Sequence, residues 1–157
     1  MTGMKQSLHT SSLVEASQIG PACMAYRARM LSRVLSAIYD EALAPLGLKA
    51  SQVNVLAALS HQGPCAQNDL CALLHTDKST MSRNIERMHK RGWVAANFGD
   101  DNRTHIVSLT PKGAKLLRDA FPLWRKAQEE AYRRMGKEGV AALETLTKRL
   151  RAIGNSR

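Results

Sequence analysis

One segment of the chain abandons the helical period that governs the rest. In WVAANFGDDNRTHIVSLT, two short runs, Trp93 to Phe98 and Thr104 to Leu109, flank the turn-forming Gly99-Asp100-Asp101-Asn102, a pattern that predicts a β-hairpin. LTPKG then restarts a helix. Thr110 stands as a cap and Pro111 takes the first helical position, where a missing N–H costs nothing. A lone hairpin with helices on both sides leaves few architectures open, and the helices around it narrow the choice.

Upstream, CMAYRARMLSRVLSAIYDEALAPLGL carries Met30, Leu31, Val34, Leu35, Ile38, Leu43 and Leu46 at helical spacing. Pro21 precedes this long amphipathic helix, and Pro45 and Gly47 end it. KASQVNVLAALSHQGPC predicts a second helix with Ser51 as its cap and Val53, Val55, Leu56 and Leu59 buried, stopped by Gly63-Pro64. A third, short helix reads AQNDLCALLH. Downstream of the hairpin the chain is helical to Met135, and KEGVAALETLTKRLRAI adds a last helix with Val140, Leu143, Leu146 and Leu150 on one face. Residues 1–18 lack helical periodicity, and 1–20 read as a mobile tail.

Between the third helix and the hairpin lies HTDKSTMSRNIERMHKRGW, His75 to Trp93. Thr76 or Asp77 would cap a fourth helix from about Lys78 to Arg91, with Met81, Ile85 and Met88 as an inward stripe. Ser79, Thr80, Ser82, Arg83, Asn84, Glu86 and Arg87 are left on the exposed sides. Helix, turn, polar helix, hairpin is the winged helix-turn-helix order, in which the second helix of the pair enters the major groove of DNA. The groove admits one helix, whose N-terminal residues lie nearest the base edges. Lys78 and the short donors and acceptors Ser79, Thr80 and Ser82 occupy that end, and Arg83 is long enough to reach a guanine edge or a phosphate. Arg87, Lys90 and Arg91 suit the backbone better than bases. Considered alone, such a helix is most often an ordinary solvated surface helix. Its conjunction with the wing and with a basic chain, 23 Lys and Arg against 13 acids for a formal charge of +10, favours double-stranded DNA.

Other chemistries find less support. No apolar run approaches the roughly 20 residues of a membrane span. Cys23, Cys65 and Cys71 are odd in number and irregularly spaced, which argues against a disulfide framework and for a reducing cytosol. No glycine-rich phosphate loop, nucleophile elbow or H-E-x-x-H occurs, and the acids are scattered, so no enzyme and no cofactor is expected. His61, Cys65, Cys71 and His75 offer nitrogen and sulfur ligands, but their spacing matches no compact zinc pattern, and no metal is expected. A non-specific architectural DNA binder remains an alternative, distinguished by steep salt dependence with little sequence preference.

QNDLCALLHTDKSTMSRNIERMHKRGWV, followed by DDNRTHIVSLTPKG, resembles the core of the MarR family of bacterial transcription regulators. The motifs that carry the likeness are Asp101-Asn102-Arg103 in the wing and Leu109-Thr110-Pro111-Lys112-Gly113 after it. The resemblance implies a mainly α fold with a small β-hairpin wing: a winged helix-turn-helix at 51–110 within a single domain, 21–157, whose flanking helices, 21–47 and 111–157, interlock two chains as a homodimer. The apolar faces of those helices exceed what the winged module can cover, which also favours a second chain. It further implies Arg103 in the minor groove, steadied by Asp101, and a repressor released by a small, often aromatic and anionic effector. Tyr26, Arg27, Met30 and His61 are the candidate effector residues. One branch of the family senses organic peroxides through a cysteine near the start of the first helix, which makes Cys23 a redox alternative; a buried cysteine acting as a small hydrophobe is the plainer reading.

Overall fold

The computed structural model describes residues 17, 19, 22–98 and 105–154. Helix α1 (Met24–Leu43) runs into a 3-10 turn (Ala44–Leu46); α2 (Ala50–Gln62), strand β1 (Cys65–Ala66), α3 (Gln67–Leu73) and α4 (Lys78–Lys90) follow, then β2 (Val94–Phe98), β3 (His105–Leu109) and α5 (Pro111–Gly154). α5 is broken at Gly136, whose φ of 67° and ψ of 169° only glycine adopts readily. The helical segment to Met135 and the separate last helix expected from sequence are thereby accounted for. The chain divides into two compact units, Met1–Ala37 and Ile38–Arg157, with the boundary inside α1. No single described helix is long and apolar enough to cross a membrane.

The hairpin is present and belongs to a three-stranded antiparallel sheet in the order β1-β3-β2. β2 pairs with β3 from Val94↔Leu109 to Phe98↔His105, and β1 adds Cys65↔Val107 and Ala66↔Ile106 on the other edge. Two residues are too few to show a strand period, so β1 had no sequence signal. Cys65 and Ala66, read from sequence as turn and helix start, are strand.

The N-terminus of α2 corrects one expectation. Ser51 is not its cap: Lys49 holds that position with φ −118° and ψ 155°. The Ala50 N–H donates to Asp40 Oδ1 at 2.8 Å and the Lys49 N–H to Gln52 Oε1 at 3.0 Å, so side chains from outside the expected site satisfy the helix start. Lys49 Nζ also reaches Asp40 Oδ2 at 3.0 Å.

The turn between α3 and α4 is closed without glycine. His75 adopts φ 49°, the His75 N–H donates to the Ala72 carbonyl and the Thr76 N–H to the Cys71 carbonyl. This is the hydrogen-bond pair of a Schellman helix end, with histidine in the left-handed position usually given to glycine. α3 therefore stops short of His75, with which the sequence pattern had ended it.

The core of Ile38–Arg157 is one contiguous cluster, including Leu43, Leu48, Leu56, Leu59, Leu70, Met81, Met88, Val94 and Val107. Val53, Val55, Leu56 and Leu59 of α2 are buried, in agreement with their spacing. Among the described residues Gln52 is buried and polar, and its amide oxygen accepts from the Lys49 N–H at the start of α2.

Candidate nucleic-acid interface

α4 lies against the core through Met81, Ile85 and Met88, all buried as their spacing requires. Fixing that stripe turns Lys78, Ser79, Thr80, Ser82, Arg83 and Arg87 outward, and each is exposed. Asp77, with φ −68° and ψ 153°, caps the helix, its Oδ1 accepting from the Thr80 N–H at 2.8 Å and the Ser79 hydroxyl at 2.7 Å. Arg83 Nη2 lies 3.4 Å from both Ser79 Oγ and Thr80 Oγ1. The first turn is thus an ordered polar edge whose longest member, Arg83, is held by two long, weak hydrogen bonds that it can surrender to a ligand.

The Ser79 hydroxyl, followed by the Thr80 N–H, holds the Asp77 carboxyl well below its ordinary value of 3.8. A carboxylate whose folded pKa is depressed contributes stability that is present above the unfolded pKa and is lost as pH falls toward the folded one. Asparagine caps at every pH. Unfolding measured from neutral pH down to about pH 3 should therefore show Asp77→Asn losing less stability than the unaltered chain. Equal losses would show that this carboxylate is not a source of the acid sensitivity.

At the end of α4, Lys90 and Arg91 have separate partners. Lys90 pairs with Glu86 at 2.6 Å. The Arg91 guanidinium turns away from the helix axis to donate to the Gly47 carbonyl at 3.1 Å and lies 4.9 Å from the centroid of the Trp93 ring. The helix ends as its sequence suggests: Gly92, at φ 71°, donates to the His89 carbonyl, and Trp93 N–H donates to the Met88 carbonyl, a Schellman pair with buried Trp93 against buried Met88. His89 Nδ1 sits 3.2 Å from the Val94 carbonyl, joining α4 to β2.

Asp101 and Arg103 lie outside the described residues, as does the tail assigned to residues 1–20 except Ser17 and Ile19. Of the effector candidates, Tyr26, Arg27 and Met30 are exposed on α1 and His61 is exposed near the end of α2. A cleft of about 350 Å3 opens between Ile38, Glu41 and Ala42 of α1 and Lys126, Ala127, Glu130 and Arg134 of α5; none of the four candidates lines it. Hydrogen bonds from Arg133 and Arg134 hold the Glu130 carboxyl down at about 2. Nothing in the sequence pointed to this cleft, because its walls are brought together from separate helices.

Cys23 is half-buried, as is Cys65, and Cys71 is buried in α3. Burial, with a smaller contribution from the Asp69 charge, pushes the Cys65 thiol up. Among the described residues no group of three or more His, Cys, Asp or Glu is placed to hold a metal ion. Large apolar side chains stay exposed on the flanking helices: Met24 at 72%, Met30 and Val34 on α1, and Leu146 and Leu150, the last at 65%, on α5.

Comparison with known proteins places this geometry. Residues 46–103 match the model of the MarR family. The chain is 32% identical over 99 residues, 63% of its length and 72% of the relative's, to the uncharacterized HTH-type transcriptional regulator YwoH of Bacillus subtilis. The transcriptional regulator MosR of M. tuberculosis, solved in complex with DNA, is 33% identical and superposes with a TM-score of 0.67 over 82% of this chain and 98% of that one. BpsR of Bordetella bronchiseptica, whose DNA binding is regulated by 6-hydroxynicotinic acid, shares the fold with a TM-score of 0.70 at 24% identity, over 80% of this chain and 96% of that one.

Proposed function

Since the chain belongs to the MarR family of transcription regulators, with the DNA-binding fold of that family, we propose that it is a sequence-specific repressor acting as a homodimer on a pseudo-palindromic duplex. The observation that carries this reading is α4: a buried Met81, Ile85 and Met88 stripe presents Lys78, Ser79, Thr80, Ser82, Arg83 and Arg87 to solvent, ahead of a wing. In this reading the hydroxyl residues and Arg83 meet base edges, Arg87 meets phosphate, and Arg103 enters the minor groove with Asp101 beside it. A narrow minor groove concentrates negative potential, which suits arginine. MosR, solved with DNA, supports the general mode.

The exposed apolar residues of α1 and α5 support the homodimer, because a second chain gives them cover that water does not. Binding of a small, often aromatic and anionic effector would release the repressor from DNA; the regulation of BpsR by 6-hydroxynicotinic acid is the motivation. The setting of such a regulator is the cytoplasm.

Selection of duplexes from a random library by the full chain tests the reading. A specific regulator enriches one motif and loses about 1–3 kcal/mol for each mismatched base pair. Steep salt dependence with no enriched motif would instead identify an architectural binder. On the selected duplex, Arg103→Ala should weaken binding and flatten its salt slope; unchanged values would remove Arg103 from the interface.

A further inference from the structure

Three consecutive carbonyls leave the end of α4, and all three are taken up by the start of α5. Lys112 Nζ donates to the Arg91 carbonyl at 2.8 Å. The Thr110 hydroxyl lies 2.7 Å from the Gly92 carbonyl and 3.0 Å from that of Trp93, to which the Thr110 N–H also donates at 3.2 Å. Thr110 Oγ1 in turn accepts from the Gly113 N–H at 3.0 Å, so the same hydroxyl caps α5. On the opposite side, the Arg91 guanidinium is committed to the Gly47 carbonyl, in the turn after α1, and to the Trp93 ring. Residue 91 is therefore the point at which the recognition helix is tied to the elements before and after it.

We infer that Arg91 is a positioning residue for DNA reading: it sets the angle of α4 by bridging Gly47 and Trp93, and does not itself bind phosphate. This rests on the DNA-binding reading above. Its geometry needs guanidinium specifically. A planar cation can lie over an indole while one edge donates to a carbonyl, whereas a lysine ammonium offers a point charge with no plane to stack. Charge alone would serve a phosphate equally well from lysine.

The test uses the full chain, the duplex it selects from a random library, and a random-sequence duplex of the same length. Arg91→Lys keeps the charge. It should lower affinity for the selected duplex about tenfold while leaving the random duplex within about twofold and the salt slope unchanged. Arg91→Ala should do the same or more, again without the slope change of about 0.9 that a lost phosphate contact brings. A merely destabilised chain would lose both duplexes in parallel, and if Arg91→Ala does not fold, Arg91→Lys carries the test. Unchanged binding by Arg91→Lys overturns the inference, as does a slope reduced in Arg91→Ala with both duplexes weakened alike. A library from which the unaltered chain selects nothing overturns the DNA reading, and this inference with it.

Discussion

Gly113→Ala will lower the stability of the chain by about 3 kcal/mol, the upper range for forcing an added methyl into a filled site. A Cβ at Gly113 would overlap the Trp93 carbonyl oxygen and stand 2.9 Å from Leu109 Cδ1. The first obstacle is backbone, which cannot rotate away as a side-chain tip can. Alanine is the better helix former by about 1 kcal/mol, so the sign of the outcome depends on which effect is larger, and the overlap with a main-chain oxygen is larger. Relief requires the start of α5 to move off Trp93, which withdraws Thr110 and Lys112 from the carbonyls they hold. Thermal unfolding at fixed protein concentration should show Tm lower by about 6–12 °C. An unchanged or raised Tm would mean that the contact is relieved without cost and that helix propensity decides.

Arg83→Ala should cost between about tenfold and hundredfold in affinity for the selected duplex, the worth of one arginine to base-edge contact. In the free chain the guanidinium reaches back along the helix to Ser79 and Thr80 at 3.4 Å. Its release therefore surrenders little, and most of what it gains on DNA appears as affinity. Fluorescence anisotropy titrations at several salt concentrations measure the effect. Repeating the duplex selection with the variant separates two modes of contact: relaxed preference at one base pair identifies base reading, and a uniform loss with a flatter salt slope identifies phosphate. Affinity equal to that of the unaltered chain would exclude Arg83 from the interface.

Much of the candidate recognition surface was legible because its causes are local. Met81, Ile85 and Met88 repeat at helical spacing, and their burial turns Ser79, Thr80, Ser82 and Arg83 outward. Asp77, one of the two expected caps, has side-chain geometry that serves the helix immediately after it. Gly99 to Asn102 marked the hairpin, although the residues there, with Asp101 and Arg103, lie outside those described. In the Leu109-Thr110-x-x-Gly113 pattern the cap at Thr110 was legible and the part played by Gly113 was not. As a motif the pattern supports a resemblance; in the fold it is a cap and a close backbone approach in one, with Thr110 and Gly113 both meeting Trp93. Arg91, assigned by its charge to the DNA backbone, is engaged by Gly47 and Trp93.

The sequence by itself determined the order of the helices and the hairpin, the face that α4 buries, its end at Gly92 and the break in α5 near Gly136. Each follows from a 3.6-residue period or from a backbone angle that one residue type adopts without strain. Only the tertiary structure decided that Asp40 caps α2 from ten residues away, that Arg91 reaches a carbonyl 44 residues away, and that Cys65 and Ala66 form a third strand on β3. A hydrogen bond is indifferent to the length of chain between its partners, so no local pattern records it, and it comes into being only when packing of the core has brought the two groups together.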